Sequence, residues 1–323
     1  MPLHKTLLLP LLAACTLLLA VASQAAAPLV KTQAPGYYRT MLGDFEITAL
    51  SDGSHPFPID TVMTHLEAGL IKQDLDHAEL AAPVQGSINA FLINTGSKLI
   101  LVDAGAGVLY GDCCNKLVTN LRAAGYQPEQ VDEVLLTHLH KDHAGGIMAQ
   151  GRAVFPNAVL LLSQTESDYW LGAGNQAKAP DFLSTFFDAA KAAVAPYQAA
   201  QRYQPYQQFG QLEAGIEALP APGHTPGHAM YRVQSGGQTL LIWGDIVHVS
   251  AIQLPHPQAA VKYDSSAADA QTTRARLLQQ AANAHTLVGA AHIAFPGLGH
   301  IRTAGQGYDW LPLNYDGAPG TPN

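Results

Sequence analysis

Four potential metal ligands lie within six consecutive residues near the middle of this chain. They are His138, His140, Asp142 and His143. Neutral imidazole and carboxylate are ligands that divalent transition metals prefer. On an irregular loop, His138 and His140 can converge on one ion while Asp142 and His143 turn toward a second ion. The segment therefore predicts part of a two-metal site, because an ordinary polar surface loop would rarely carry all four groups.

Two later segments offer further ligands of the same chemistry. His224 lies in the segment 222–228, whose Pro and Gly residues favour an irregular exposed loop. Asp245 ends the apolar run 239–244, which predicts a buried strand that delivers a carboxylate to its C-terminal edge. A buried carboxylate without a partner is costly. We therefore expect Asp245 to bridge two cations.

A last ligand is expected from a later strand, and two histidines compete for this place. His292 follows the strand-like run 286–291, whereas His300 lies in a Gly-rich loop. The strand-end position favours His292. No G-x-S-x-G turn and no P-loop glycine pattern occurs. Two metal ions about 3.5–4 Å apart can activate water. We therefore expect a metal-bridging hydroxide as nucleophile, with Asp142 and Asp245 as the catalytic carboxylates that hold it.

The strands that must position these ligands fall into two sets, each followed by helices. This order predicts an α/β protein in which two sheets pack together with helices outside. The boundaries predict a signal peptide (1–25), an extended arm (26–44), one domain (45–304) and a Gly/Pro-rich tail (305–323). The expected helices are 117–124, a helical region at 164–201 that is interrupted near residues 172–180, and 265–284. The expected strands include 45–50, 87–94, 98–103 and 158–162, with a second group from 216 to 243.

The first residues predict export. His4 and Lys5 precede the apolar run Leu7–Val21, and small residues near Ala25 suit cleavage by a signal peptidase. The expected location is the periplasm or outside of a bacterial cell, without a transmembrane span after cleavage. An alternative is a lipid anchor on Cys15, which ends a lipobox-like segment. After cleavage only Cys113 and Cys114 remain, either as free thiols or as partners in an intermolecular bridge.

Composition excludes some classes of partner. The 323-residue chain is 48% hydrophobic and 13% charged, with a formal net charge of −8. It contains no Lys/Arg cluster, so nucleic acids and acidic membrane surfaces are disfavoured. We expect a small neutral molecule as substrate.

The pattern H-x-H-x-D-H resembles that of the metallo-β-lactamase superfamily, whose fold is an αββα sandwich of two mixed sheets. The resemblance is strongest to the secreted methyl parathion hydrolase-like branch, which includes broad lactonases, and it covers nearly all of the mature chain. The matching stretches are 87–96, 101–107, the two histidine motifs, 243–248 and 291–297. The resemblance implies lactone, ester and phosphotriester hydrolysis, and frequent homodimers.

The same resemblance implies how the ligands divide. His224 matches the third ligand of the first metal, beside His138 and His140. The second metal would then bind Asp142, His143 and His292, with Asp245 shared. His228 falls in the motif at a position that usually starts a strand and supports the ligands. All-nitrogen and oxygen ligation suits zinc and also permits manganese, cobalt or iron.

Several residues are candidates for the substrate pocket. Trp170, Phe186 and Phe187 fall in the helical insert where the branch places aromatic pocket walls, and core packing is their alternative. His248 and Ile252 follow Asp245 and are expected to line the opening. Asp103 ends a strand and is expected to orient ligands.

The leading hypothesis is a dinuclear lactonase that also hydrolyses phosphotriesters, including acyl-homoserine lactones among its substrates. The alternatives are a β-lactamase, an iron-dependent oxidoreductase of the same fold, or a non-catalytic metal-binding surface protein.

Overall fold

Two β-sheets form the centre of this protein. The computed structural model describes residues 27–317. The expected signal peptide, including Cys15, lies outside the described residues. The strands, in chain order, are β1 Tyr37–Leu42, β2 Phe45–Phe57, β3 Met63–Thr64, β4 Val84–Asn94, β5 Leu99–Val102, β6 Glu133–Leu135, β7 Met148–Ala149, β8 Arg152–Ala153, β9 Val159–Leu161, β10 Gly210–Glu213, β11 Ile216–Pro220, β12 Ala229–Ser235, β13 Gln238–Ile242, β14 Ala260–Val261, β15 Leu287–Gly289, β16 Leu298–Ala304 and β17 Gly307–Pro312.

The helices lie between these strands and are mostly short. They are α1 Ile59–Val62, α2 Ala68–His77, α3 Leu117–Ala123, α4 Lys141–Ala144, α5 Gln164–Leu171, α6 Ser184–Ala199, α7 Ser250–Gln253 and α8 Ala267–Ala284. Short 3-10 segments occur at Gly107–Cys113, which is kinked at Tyr110 and Gly111, and at Pro128–Gln130, Gly145–Ile147, Gln176–Lys178 and Asp181–Leu183.

Each large sheet mixes parallel and antiparallel strands. Among the described residues, one sheet has the order β1-β2-β4-β5-β6-β9 and the other β10-β11-β12-β13-β15-β16-β17. In the first sheet β5, β6 and β9 run parallel, with Leu101 opposite Val134 and Val134 opposite Leu160. In the second, β13 and β15 run parallel. Parallel strands end at the same edge of a sheet, so the loops after β6, β13 and β15 can bring their side chains together.

The period of two along each strand divides its side chains between two apolar layers. In β4, Phe91 and Ile93 face the second sheet and pack with Tyr231 and Ile242. The alternate residue Leu92 packs on the outer side with residues of α3, α5 and α6. On the outer side of the second sheet, residues of β13 pack against α8. The layers are therefore helix, sheet, sheet, helix.

Both ends of the described chain differ from the sequence prediction. Residues 37–42, expected within an extended arm, form edge strand β1 and pair with β2. Residues 307–312, expected within the tail, form β17 and pair with β16. Neither segment alternates apolar and polar residues cleanly, and each is an edge strand of its sheet. The sequence also missed α2, which buries Ile71 and Leu75.

Other predicted elements are present near the expected positions. The helical region 164–201 is divided into α5 and α6 around the predicted interruption, and α8 covers most of 265–284. Cys113 and Cys114 are both free thiols. Within residues 27–317, no helix is long and apolar enough to cross a membrane.

Candidate metal centre

The candidate ligands meet at the edge where the strands of both sheets end. His138 and His140 lie on the loop after β6, and Asp142 and His143 lie in the single turn of α4. His224 lies on the loop between β11 and β12. Asp245 follows β13 and His292 follows β15. All seven are buried.

Seven side chains form two neighbouring groups that could each hold a metal ion. Within each group, the potential ligand atoms lie within 4.8 Å of one another. The first group contains His138, His140, His224 and Asp245. The second contains Asp142, His143 and His292. The structure thus brings together all seven residues in the division that the sequence resemblance implies.

The carboxylate of Asp245 lies between the two groups. Its Oδ1 is 3.0 Å from His143 Nε2 and 3.1 Å from His292 Nε2. Its Oδ2 is 3.2 Å from His224 Nε2 and 3.8 Å from His138 Nε2. His292 Nε2 also lies 3.3 Å from Oδ2. The carboxylate therefore contacts ligands of both groups, as a bridging carboxylate would.

Several buried polar atoms at this centre lack a hydrogen-bond partner. They include Nε2 of His138 and of His143 and Oδ1 of Asp245. A buried polar atom without a partner costs about 1–3 kcal/mol. Several such atoms pointing at one another would be strongly unfavourable unless a cation satisfied them. The donor set of imidazole nitrogens and carboxylates fits two divalent transition-metal ions.

Hydrogen bonds to the outer ring nitrogens orient three of the histidines. The Nδ1 atom of His143 lies 2.8 Å from Asp103 Oδ2. The Nδ1 atom of His224 lies 2.8 Å from Asp264 Oδ1, and His292 Nδ1 lies 2.9 Å from the carbonyl oxygen of Ser87. Such contacts fix a ring's orientation and raise its basicity as a ligand. Asp103 therefore orients a ligand, as the sequence predicts.

Burial and neighbouring charges shape the protonation states. Burial lowers the pKa of His138 and His140 well below the usual value, so both rings stay neutral. Burial alone would raise the pKa of Asp245, but His143 and His292 hold that pKa well below its usual range. Burial would also lower the pKa of His143, His224 and His292, but the Asp245 carboxylate raises the pKa of all three. Of these five rings, His138 and His140 therefore present neutral lone pairs, and the other three favour the charged form beside an ionised carboxylate.

The two remaining histidine candidates lie outside both groups. His228 accepts a hydrogen bond at Nε2 from the backbone N–H of Asp245 at 3.0 Å. It therefore positions the shared carboxylate, and burial lowers its pKa to about 3. Gly244 has φ +58°, and a Cβ there would lie 2.6 Å from the same Nε2. His300 instead contacts the carbonyl oxygens of His285 and Thr286.

The sequence profile of the metallo-β-lactamase superfamily matches residues 83–292, more than half of the chain. This chain belongs to the metallo-β-lactamase superfamily. The match confirms the superfamily and the αββα fold predicted from the sequence. The narrower methyl parathion hydrolase-like branch stays a prediction.

Three relatives of this metallo-β-lactamase-fold protein span a range of similarity. The solved structure of AbOPH, a hydrolase in the beta lactamase superfamily, is 38% identical with a TM-score of 0.84, over 88% of this chain and 100% of that one. AidC, a dizinc quorum-quenching lactonase solved with the product N-hexanoyl-L-homoserine, is 28% identical with a TM-score of 0.80, over 87% and 98%. A probable metallo-hydrolase of Mycobacterium tuberculosis is 27% identical over 50% of this chain. The matched part covers 59% of the length of that relative.

A small cavity opens onto the metal-site residues of this superfamily member. Its lining includes Asp142, His224 and Asp245, together with the predicted pocket residues Phe186 and His248. The ring of Phe186 lies 5.2 Å from that of His140, centroid to centroid. The cavity therefore has an aromatic wall beside the first ligand group.

Three predicted pocket residues lie in the core instead. Trp170 and Phe187 are 0% exposed, and their rings pack on each other at 4.5 Å. Ile252 is also 0% exposed and packs in an apolar cluster with Ile59 and Val249. The prediction was wrong for these residues because a helix exposes only one face to a cavity. The sequence spacing did not show which face that was.

Sequence reasoning missed several residues of the cavity and its support. The missed wall residues are His55, Phe57, Tyr110 and Tyr263. They come from β2, a 3-10 turn and the loop before α8, so no local motif joins them. The supporting carboxylate Asp264 was missed as well. Its position forty residues after His224 gives no signal that the two side chains meet.

Proposed function

We propose that this protein is a dinuclear metal-dependent hydrolase of lactones and carboxylic esters. The observation that carries the proposal is the position of Asp245, whose carboxylate contacts buried ligands of both groups. Both groups border one cavity. A pair of ions held there would act on the same substrate.

Two divalent ions at such a centre lower the pKa of a bound water and polarise the substrate oxygen. The protein's own residues supply the remaining functions. Asp142 lines the cavity and has one carboxylate oxygen 3.5 Å from His292 Nε2. We propose that this carboxylate takes the proton of the attacking water. His248 lies 3.0 Å from Asp245 Oδ2 and holds that carboxylate in place.

The cavity wall supports a neutral, partly apolar substrate. Phe57, Phe186, Tyr110 and Tyr263 contribute aromatic surface, and the lining contains no Lys or Arg side chain. A carboxylate-bearing substrate would therefore find no Lys or Arg partner among the described lining residues. Lactones such as acyl-homoserine lactones suit this wall, and the similarity to the lactonase AidC supports that class.

Phosphotriester hydrolysis is the second activity that we propose for the same centre. A neutral phosphotriester presents a polarisable oxygen and a leaving group, as a lactone does. The resemblance to the methyl parathion hydrolase-like branch supports this activity. The two reactions would use the same centre but differ in geometry, since attack on a lactone gives a tetrahedral carbon and attack on a phosphotriester an in-line, pentacoordinate phosphorus.

The test compares turnover of a homoserine lactone and of a paraoxon-type triester by the same purified protein. Activity is measured as isolated, after removal of metal by a chelator, and after addition of zinc, manganese, cobalt or iron. We expect lactone turnover that is lost on chelation and restored by metal. Turnover of nitrocefin alone would favour a β-lactamase. Oxygen consumption that requires iron would favour an oxidoreductase.

Export to the periplasm and assembly as a homodimer are further proposals. The apolar run Leu7–Val21 supports export, and the family resemblance supports the dimer. Cell fractionation of the native host and size-exclusion chromatography with light scattering test the two proposals separately.

A further inference from the structure

We infer that Glu166 is a positioning residue that holds together the two chain segments carrying the first group of ligands. Its carboxylate is 0% exposed and lies on α5, outside both ligand groups. The inference rests on the proposed function, because its consequence is the affinity of one of two metal sites.

The carboxylate of Glu166 accepts four hydrogen bonds from three parts of the chain. Oε1 accepts from the backbone N–H of Leu139 at 3.0 Å and from Trp170 Nε1 at 2.6 Å. Oε2 accepts from Thr225 Oγ1 at 2.7 Å and from the backbone N–H of Gly227 at 3.1 Å. All four bonds are buried, where breaking one leaves a donor unsatisfied.

The donors are placed next to ligands of the first group. Leu139 lies between His138 and His140, and Thr225 directly follows His224. One carboxylate therefore joins the loop after β6 to the loop before β12. These two loops come from different sheets, and they also meet directly where His224 Nε2 lies 2.9 Å from His140 Nδ1. Glu166 adds hydrogen bonds to the backbone of both loops.

The packing around Glu166 is close enough to make this junction rigid. A Cβ at Gly227 would lie 2.1 Å from the backbone nitrogen of Glu166, so only glycine fits there. Ser163 donates a hydrogen bond from its hydroxyl to the carbonyl oxygen of Gly227 at 2.6 Å. The ring of Trp170 also packs on that of His140 at 5.2 Å. The start of α5 is therefore docked directly on the ligand loops.

The ionised form of Glu166 matches this set of donors. Burial raises the pKa of the carboxyl, and the hydrogen bonds from Thr225 and Leu139 oppose that shift. Three of the four donors are N–H groups, which cannot accept a proton from a carboxylic acid. A glutamine would satisfy one side of the junction and place its NH₂ group against donors on the other.

The experiment uses Glu166→Gln in the full-length, metal-loaded protein. The affinity of each ion is measured by stepwise competition with a chelator, and cobalt-loaded samples are followed by visible absorption. We expect the affinity for one ion to fall on the order of 10- to 100-fold, with the second ion unchanged. In a His224→Ala background, which already lacks a ligand of the first group, Glu166→Gln should have no further effect on the ion that remains.

Glu133→Gln is the matched control, because Glu133 is a buried carboxyl at the opposite end of β6 that pairs with Lys98. It should leave both affinities unchanged. Thr225→Val removes one donor and should give a smaller loss at the same ion, so it tests the inference if Glu166→Gln does not fold.

Unchanged affinity in Glu166→Gln, or equal loss of both ions, would overturn the inference. Wild-type protein that binds no metal would overturn the proposed function and the inference with it. If the wild-type protein binds two ions and Glu166→Gln binds both ions with the same affinity, the inference is overturned and the proposed function is not.

Discussion

The two ligand groups are held in place by different means. In the second group, a carboxylate acts directly on a ring, since Asp103 contacts the Nδ1 atom of His143 at 2.8 Å. In the first group, Asp264 contacts the ring of His224. Glu166 instead accepts hydrogen bonds from backbone N–H groups on the loop after β6 and on the loop before β12. Both groups join segments from the two sheets, since Asp142 and His143 lie in α4 after β6 and His292 follows β15. The difference is that the first group has an additional buried carboxylate, which accepts hydrogen bonds from backbone N–H groups beside its ligands.

Asp245 is the residue on which both groups depend. Replacing it by Asn keeps the shape but removes the negative charge and replaces one of the two ligand oxygens by an NH₂ group, which cannot bind a cation. We expect activity on the best substrate to fall on the order of a thousandfold, since loss of several kcal/mol of metal-based stabilisation has that effect. Steady-state kinetics on metal-saturated Asp245→Asn protein measures the change. A variant with near wild-type activity and two tightly bound ions would contradict the sharing of Asp245.

Asp103 and Asp264 each hydrogen-bond to one ligand histidine, so replacing them should affect the two metal sites separately. We expect Asp103→Asn to weaken the ion at the second group and Asp264→Asn to weaken the ion at the first, each by roughly 10- to 100-fold. Chelator competition on the two single variants and on the double variant measures this. If both variants weakened the same ion, the division into two groups would be wrong.

The neighbouring residues Phe186 and Phe187 distinguish the cavity wall from the core. Phe186→Ala should raise KM for an apolar ester several-fold, because burying an aromatic side chain against a ligand contributes roughly 1–2 kcal/mol. Phe187→Ala should instead lower the free energy of unfolding by about 3–5 kcal/mol, as a large core deletion does. Kinetics and urea unfolding on both variants test this. A larger increase in KM for Phe187→Ala than for Phe186→Ala would show that Phe187 lines the pocket.

A smaller effect is expected from His228, which supports the shared carboxylate through the backbone N–H of Asp245. Burial lowers its folded pKa to about 3, so the unfolded state binds a proton first as pH falls below about 6.5. Stability contributed by the neutral ring is therefore present above pH 6.5 and is lost progressively between pH 6.5 and about 3.

Urea unfolding of wild-type and His228→Gln proteins between pH 7.5 and 5 measures this contribution. The wild type should lose stability more steeply with acid, by up to about 1.4 kcal/mol per pH unit. Parallel slopes for the two proteins would show that His228 is not buried as a neutral ring.

The sequence predicted the site best where the ligands lie close together along the chain or directly follow a strand. The motif from His138 to His143, the strand before Asp245 and the strand before His292 each predict a ligand locally, because a strand end fixes where the next side chain points. Gly172, Gly174 and Pro180 also predicted that the helical region would be interrupted around residues 172–180.

The sequence was least informative where function depends on contacts between distant segments. Asp264 contacts His224, 40 residues earlier in the chain, and Glu166 contacts the backbone beside ligands on two other loops. Neither residue lies in a motif. Tyr110 and His55 meet in the cavity wall, with ring centroids 4.6 Å apart, only because β2 and a 3-10 turn fold together. Trp170 and Phe187 were misplaced because their helical faces depend on how α5 and α6 dock.

Anomalous diffraction from crystals of the zinc-loaded protein tests the central claim most directly. The account predicts two anomalous peaks about 3.5–4 Å apart. One peak should lie among His138, His140 and His224, and the other among Asp142, His143 and His292, with one carboxylate oxygen of Asp245 directed at each. A single peak, or two peaks of which only one contacts Asp245, would contradict it.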